Sequence, residues 1–147
     1  MTVASHHRQV ESRLAESQVR YTKGRRAVVD LLASAEGPLG AAEIHERLEG
    51  QVPLSSVYRT LSVLEEAGVL IPHFAQKGLT RYELAEWLRG HHHHLVCVVC
   101  GGVEDFTLPE RLEAEMDRIV RDIGSLARFR AVNHSLEIEG RCTRCDA

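Results

Sequence analysis

The sequence predicts an α+β chain of two parts, an N-terminal winged helix-turn-helix domain and a small C-terminal α/β dimerisation domain with a four-cysteine zinc site. Short helical periods run from about Val10 to Gly68 and lead into two β-like runs, giving the order helix, helix, helix, hairpin. The second half carries two close cysteine pairs, Cys97-Val-Val-Cys100 and Cys142-Thr-Arg-Cys145. Between these parts stand four consecutive histidines, His91 to His94.

Taken in order, Arg25 to Ser34 places Ala27, Val28, Leu31 and Leu32 on one stripe, and Gly37-Pro38 stops it. Ala41 to Leu48 carries Ile44 and Leu48 at a spacing of four and ends at Gly50. Pro53 followed by Ser55 and Ser56 starts a third helix, with one of the serines expected as N-cap. Val57, Leu61 and Leu64 form its apolar stripe, and Gly68 closes it. Val69 to Ala75 and Leu79 to Leu84 read as strands joined by a turn at Gln76-Lys77-Gly78. Ala85 to Gly90 is a connector. Leu95 to Val99 is apolar enough for a strand, Pro109 to Ile123 is an amphipathic helix, and Phe129 to Val132 and Ser135 to Glu139 read as further strands. The domains are then residues 1–84, a hinge at 85–91, and residues 92–147. About 55 residues make a weak core alone, so the second domain should draw stability from zinc and from a second copy covering its sheet edge.

With 147 residues, 44% of them hydrophobic and 27% charged, the chain can bury a core. Apolar runs are too short to span a bilayer, and the first twenty residues lack the apolar stretch of a secretory signal, so a cytoplasmic protein without membrane partners is expected. The composition also excludes collagen-like and disulfide-stapled classes. Residues 1–90 balance eleven Lys/Arg against eleven Asp/Glu, whereas 91–147 hold seven against ten, so the net charge of −3 arises in the second part. Residues 8–26 hold six basic side chains against Glu11 and Glu16, a local excess able to attract phosphate.

The solvent face of the helix before the hairpin carries Ser56, Tyr58, Arg59 and Ser62. In a winged helix this element enters the major groove, where Arg meets guanine or phosphate and Tyr meets a thymine methyl. Cys97, Cys100, Cys142 and Cys145 suit one tetrahedral structural zinc, because two thiolates three positions apart reach one centre from a single turn. If His91 to His94 is extended, His91 and His93 face one way and His92 and His94 the other, which predicts two metal sites. Glu113 and His134 lie in the same domain and can join one pair. His73 and Glu83 come from the hairpin, and joining the other pair would tie the domains together. His6, His7 and His45 read as surface residues, and Tyr82 and Trp87 as hinge packing.

The motifs Arg20-Tyr-Thr-Lys-Gly-Arg25, Ser56-Val-Tyr-Arg-Thr-Leu61, Arg81-Tyr-Glu-Leu84, His91 to His94 with Leu-Val-Cys-x-x-Cys, Asn133-His-Ser-Leu136 and Cys142-x-x-Cys145 together resemble the ferric uptake regulator family over about residues 10–146. The resemblance implies a homodimer, a winged-helix DNA-binding domain, an α/β dimerisation domain, a four-cysteine zinc and a regulatory metal at the hinge. It matches Tyr58 and Arg59 to the pair that meets the major groove and Arg20 to a position reaching the minor groove. It matches Glu83, His92 and His94 to hinge ligands, and His91, His93 and His134, with Glu113, to a second site. This chain departs from the family at Thr22-Lys-Gly-Arg25, where Thr-Pro-Gln-Arg is common. A frequent histidine ligand is replaced at Pro38 or Leu39, and His73 is its substitute here.

The expected function is a metal-responsive repressor of metal-homeostasis genes that binds double-stranded DNA at a palindromic operator. The regulatory ion is Zn²⁺ or Fe²⁺, with Mn²⁺ and Ni²⁺ behind them. No small-molecule substrate is expected. A zinc hydrolase or deaminase would need an open metal position with a general base and a Pro-Cys-x-x-Cys arrangement, and Val96 precedes Cys97 here. The remaining alternative is a zinc-storage or zinc-chaperone protein, which would leave the winged helix idle.

Overall fold

The computed structural model describes residues 3–74 and 78–146, so the expected turn residues Gln76 and Lys77 lie outside the described residues. The chain forms two compact units, 1–90 and 91–147.

The first unit begins with α1 (Val3–Glu16), which buries Val10 and Leu14. In α2 (Lys23–Ser34) Thr22 is the N-cap, its hydroxyl accepting from Arg25 N–H, and Val28, Val29 and Leu32 face inward. A two-residue strand, β1 (Leu39–Gly40), precedes α3 (Ala41–Arg47), whose Ile44 is fully buried. The next helix, α4 (Leu54–Glu66), has Pro53 as its N-cap, so Ser55 and Ser56 fall in its first turn and do not cap it. Proline's fixed φ presets the helical entry, and a missing N–H costs nothing there. At its other end Gly68 takes φ 70°, Gly68 N–H donates to Glu65 O and Val69 N–H to Leu64 O, which satisfies the last carbonyls. The hairpin strands β2 (Leu70–Phe74) and β3 (Thr80–Leu84) pair antiparallel, and β1 adds to β3, giving the order β1-β3-β2. Val57, Leu61 and Leu64 of α4 share one core with Leu70 and Leu84.

The segment read as a connector contains a short helix, α5 (Glu86–Arg89), that belongs to the first unit. Leu88 enters the core, and the Arg89 guanidinium donates to the carbonyls of Leu32 and Ala35. Trp87 Nε1–H donates to Gly68 O, and Arg13 lies over its ring.

In the second unit, β4 (His93–Cys97) is central, antiparallel to β5 (Val103–Phe106) and parallel to β6 (Glu137–Gly140). The helix α6 (Glu110–Ala127) connects β5 to β6. Strand β5 was not foreseen. Phe129 to Val132 is not a strand: Arg128 takes φ 51° and Phe129 N–H caps the helix by donating to Gly124 O. A Cβ on Gly124 would lie 2.7 Å from Phe129 O, so this close return needs glycine. No helix among the described residues is long and apolar enough to cross a membrane.

Candidate metal centres and DNA-reading face

The parallel β4–β6 ladder sets Cys97 beside Gly140, and Val98 N–H donates to Gly140 O. Each cysteine pair sits at a strand end on a tight turn, the first helped by Gly101 at φ 71°. All four sulfurs lie within 4.8 Å of one another, with Cys100 and Cys142 Sγ 3.9 Å apart. A zinc tetrahedron with Zn–S of about 2.3 Å has an edge of about 3.8 Å, so the sulfur spacing fits that ion. The backbone N–H groups of Cys100, Cys142 and Val99 point at Cys97 Sγ and hold its pKa down to about 6, ready as a thiolate. Cys145, facing Cys142 and partly buried among sulfurs, is pushed up to about 12. Ionising all four together calls for a central cation, which is what four thiolate ligands supply a site for.

The histidine run divides as an extended chain must. His91 and His93 turn to α6 and the loop before β6, where their ligand atoms, with those of Glu113 and His134, lie within 4.8 Å of one another. Glu113, in the first turns of α6, is 3.0 Å from His93 Nε2, 2.9 Å from His134 Nε2 and 3.2 Å from His91 Nε2. The hydrogen bond from His93 and the charges of the three imidazoles hold the Glu113 carboxyl below its usual range. His91 and His134 bring Nε2 atoms to 3.4 Å. Three imidazole nitrogens aimed at one carboxylate form a donor set for a borderline divalent cation. Asp117, one turn along α6, lies 3.6 Å from His134 Nδ1.

On the other face, His92 and His94 stack edge to face at 5.0 Å, and their Nε2 atoms lie 3.7 and 3.5 Å from Asp105 Oδ1. Asp105 stands opposite His94 in the β4–β5 ladder. No element is assigned to this stretch from the sequence, and so no role to Asp105; the alternation Val103, Asp105 against Glu104, Phe106 is the available signal. In the first unit, His73 Nε2 and Glu83 Oε1 are 2.6 Å apart across β2 and β3, and Glu83 is only 4% exposed. A buried carboxylate against an imidazole is again a pair suited to a proton or a metal.

Along α4, Ser56, Tyr58, Arg59 and Ser62 are exposed while Val57, Leu61 and Leu64 are buried. Arg20 is exposed just before α2, and its carbonyl accepts from the Arg25 guanidinium. Much of the basic excess in residues 8–26 serves the fold: Arg26 pairs with Glu11 and covers the Tyr21 ring, and Arg13 covers Trp87. His7, read as a surface residue, bridges Tyr21 Oη and Asp30 Oδ1 at 2.7 Å each, pinning α1 to α2. Those partners are 14 and 23 residues away, beyond any local pattern.

A family model described as the ferric uptake regulator family matches residues 16–139. The ferric uptake regulation protein of Neisseria meningitidis serogroup A is 36% identical over 140 residues, covering 92% of each chain. Among solved structures, the ferric uptake regulator of Helicobacter pylori is similar in fold, with a TM-score of 0.78 at 24% identity, covering 100% of this chain and 95% of that one. The ferric uptake regulator of Pseudomonas aeruginosa, determined with manganese, gives 0.65 at 31% identity, covering 90% of this chain and 97% of that one.

Proposed function

The chain belongs to the ferric uptake regulator family of metal-responsive, DNA-binding transcription regulators, and from that premise we propose that it is a cytoplasmic repressor of metal-homeostasis genes that acts as a homodimer on a palindromic operator. The first unit, 1–90, binds DNA, the hinge expected at 85–91 narrows to the Gly90–His91 boundary because α5 packs into the first unit, and 91–147 dimerise and hold metal. The observation that carries this reading is the division of four successive histidines, at and just before the start of β4, into two sets that turn opposite ways, each with a carboxylate, beside a complete four-cysteine cluster.

Cys97, Cys100, Cys142 and Cys145 hold the structural Zn²⁺. His92, His94 and Asp105 of the second unit, with Glu83 and His73 of the first, close on a regulatory Zn²⁺ or Fe²⁺. His91, His93, Glu113 and His134 hold a second ion. The regulatory ion supplies a positive centre that rewards bringing these ligands together. Glu83, at the end of the wing strand β3, thereby fixes the angle between the units. In the dimer that angle sets the separation of the two α4 helices, which must match two half-sites. Tyr58 and Arg59 then meet base edges, Ser56 a phosphate, and Arg20 the minor groove. A coupling of about 1–3 kcal/mol between metal and DNA changes DNA affinity about 5–150-fold.

Replacing His92 and His94 with alanine tests the hinge assignment. The doubly substituted protein should keep its four-cysteine zinc and bind DNA without responding to added metal. A metal response equal to that of the parent would overturn the assignment.

A further inference from the structure

Polar contacts from both α1 and α2 gather on a side chain that belongs to neither helix. Tyr21 lies in the connection 17–22, between the end of α1 at Glu16 and the start of α2 at Lys23. His7 Nδ1 is 2.7 Å from Tyr21 Oη, and His7 Nε2 is 2.7 Å from Asp30 Oδ1. The Arg26 guanidinium covers the Tyr21 ring at 4.3 Å and reaches Glu11 at 3.2 Å. His7 and Glu11 stand one turn apart on α1, as Arg26 and Asp30 do on α2, so two matching rows meet around Tyr21.

The neighbours of Tyr21 say what is being held. Arg20, just before it, is exposed, and its carbonyl accepts from the Arg25 guanidinium. Thr22, just after it, is the N-cap of α2. Upstream, Val19 N–H donates to Leu14 O and closes α1. The backbone that carries Arg20 is thus fixed before it by the end of α1 and after it by the Tyr21 side chain. The two nitrogens of an imidazole point apart, so His7, Tyr21 and Asp30 cannot surround one ion; they form a bridge. With Asp30 half exposed, the His7–Asp30 pair contributes little stability by itself. Its consequence lies in what it keeps in place.

We propose that His7 is a positioning residue for DNA recognition: through Tyr21 it presets the backbone from which Arg20 enters the minor groove. This rests on the reading of Arg20 as a minor-groove contact. An arginine in a narrow minor groove meets a concentrated negative potential, which is strongest over A·T-rich sequence. A long side chain on a loose connection gives up freedom when it binds, and a connection fixed beforehand avoids part of that loss. His7 acts without touching DNA. Its effect is confined to the flank that Arg20 reads and leaves the bases met by Tyr58 and Arg59 alone.

The test is a double-substitution cycle on the full-length protein, with its four-cysteine zinc in place and saturating metal. Its probe is a duplex that the parent protein recovers from random genomic fragments, made with A·T-rich and with G·C-rich flanks. Arg20→Ala should weaken binding about tenfold, the effect of losing one groove contact. Tyr21→Phe, which removes only the hydroxyl, and His7→Ala should each weaken it about threefold and lessen the preference for A·T-rich flanks. Added to Arg20→Ala, either should change affinity by less than about 1.5-fold, because the group they position is gone. A general fold defect would lower affinity for both flanks alike and would persist without Arg20. An undiminished effect of His7→Ala and Tyr21→Phe in the Arg20→Ala background would therefore overturn the proposal. Parental affinity and flank preference in both single variants would overturn it too. Parental affinity in Arg20→Ala would remove the premise, the minor-groove contact itself, and the proposal with it. If the parent retains no fragment with any metal, the DNA-binding reading fails as a whole and takes the proposal with it, which is distinct from a failed cycle on a duplex that is bound.

Discussion

The two units solve the problem of stability in opposite ways. The first gathers Val10, Leu14, Val28, Val29, Leu32, Ile44, Leu61, Leu64, Leu84 and Leu88 into one continuous core. The second buries almost nothing apolar: Cys97 and His93 are inside, while Ile119, Ile123, Leu126, Phe129, Val132 and Ile138 are exposed. A chain of this size with an outward apolar face and an edge strand, β6, cannot rest on its own burial. The inference is that metal and a second copy stand in for the missing core, and that the dependence is confined to the half holding the ligands.

The largest effect should follow from removing the structural zinc, by strong chelation or by Cys142→Ser. Structural zinc contributes on the order of 10 kcal/mol in small metal-organised domains, so the second unit should unfold. Trp87, the sole tryptophan, sits in the first unit and should keep its native fluorescence. Loss of the Trp87 signal together with the zinc would erase the contrast between the units. Next, Leu61→Ala empties a fully buried site in the first unit and should cost about 2–5 kcal/mol in denaturant melts followed at Trp87, while zinc content stays complete. Ile123→Glu sharpens the comparison from the other side. It should weaken dimerisation by about 2 kcal/mol in sedimentation equilibrium, with the first unit's melt unchanged.

The smallest effect is an alkaline one. Burial raises the Tyr21 phenol well above its ordinary value of 10.0, with Arg26 over the ring opposing the shift only in part. Because the folded pKa is the higher one, this contribution is fully present below pH 10 and is lost as pH rises past that value, where the unfolded phenol ionises first. Tyr21→Phe should remove that alkaline loss from pH-dependent melts of the first unit. An identical decline in Tyr21→Phe would assign it to another group.

How much could be read in advance follows the same division. The helices of the first unit were legible because Val57, Leu61 and Leu64 repeat at helical spacing toward a core made by the same chain. The cysteine pairs were legible because their spacing is set by the ion. Phe129 to Val132 misled because its apolar residues are not there to build a strand; Phe129 and Val132 stay exposed after the helix cap at Gly124. Strand β5 went unread because Glu104 and Asp105 break its apolar run, and with it went Asp105 as a partner for His92 and His94. Ser55 and Ser56 looked like caps, yet Pro53 sets the start of α4 without a side-chain bond. His7 could not be placed because Tyr21 and Asp30 reach it only through the packing of α1 on α2.

The central claim is that metal gates DNA selection, and retention of random genomic DNA fragments tests it most directly. The protein would be chelated mildly enough to keep its four-cysteine zinc, then supplied in turn with zinc, ferrous iron, manganese or nickel. One metal at low concentration should select a few fragments that share a palindrome. Retention that no metal alters would contradict the repressor account and leave metal storage as the better description of these sites.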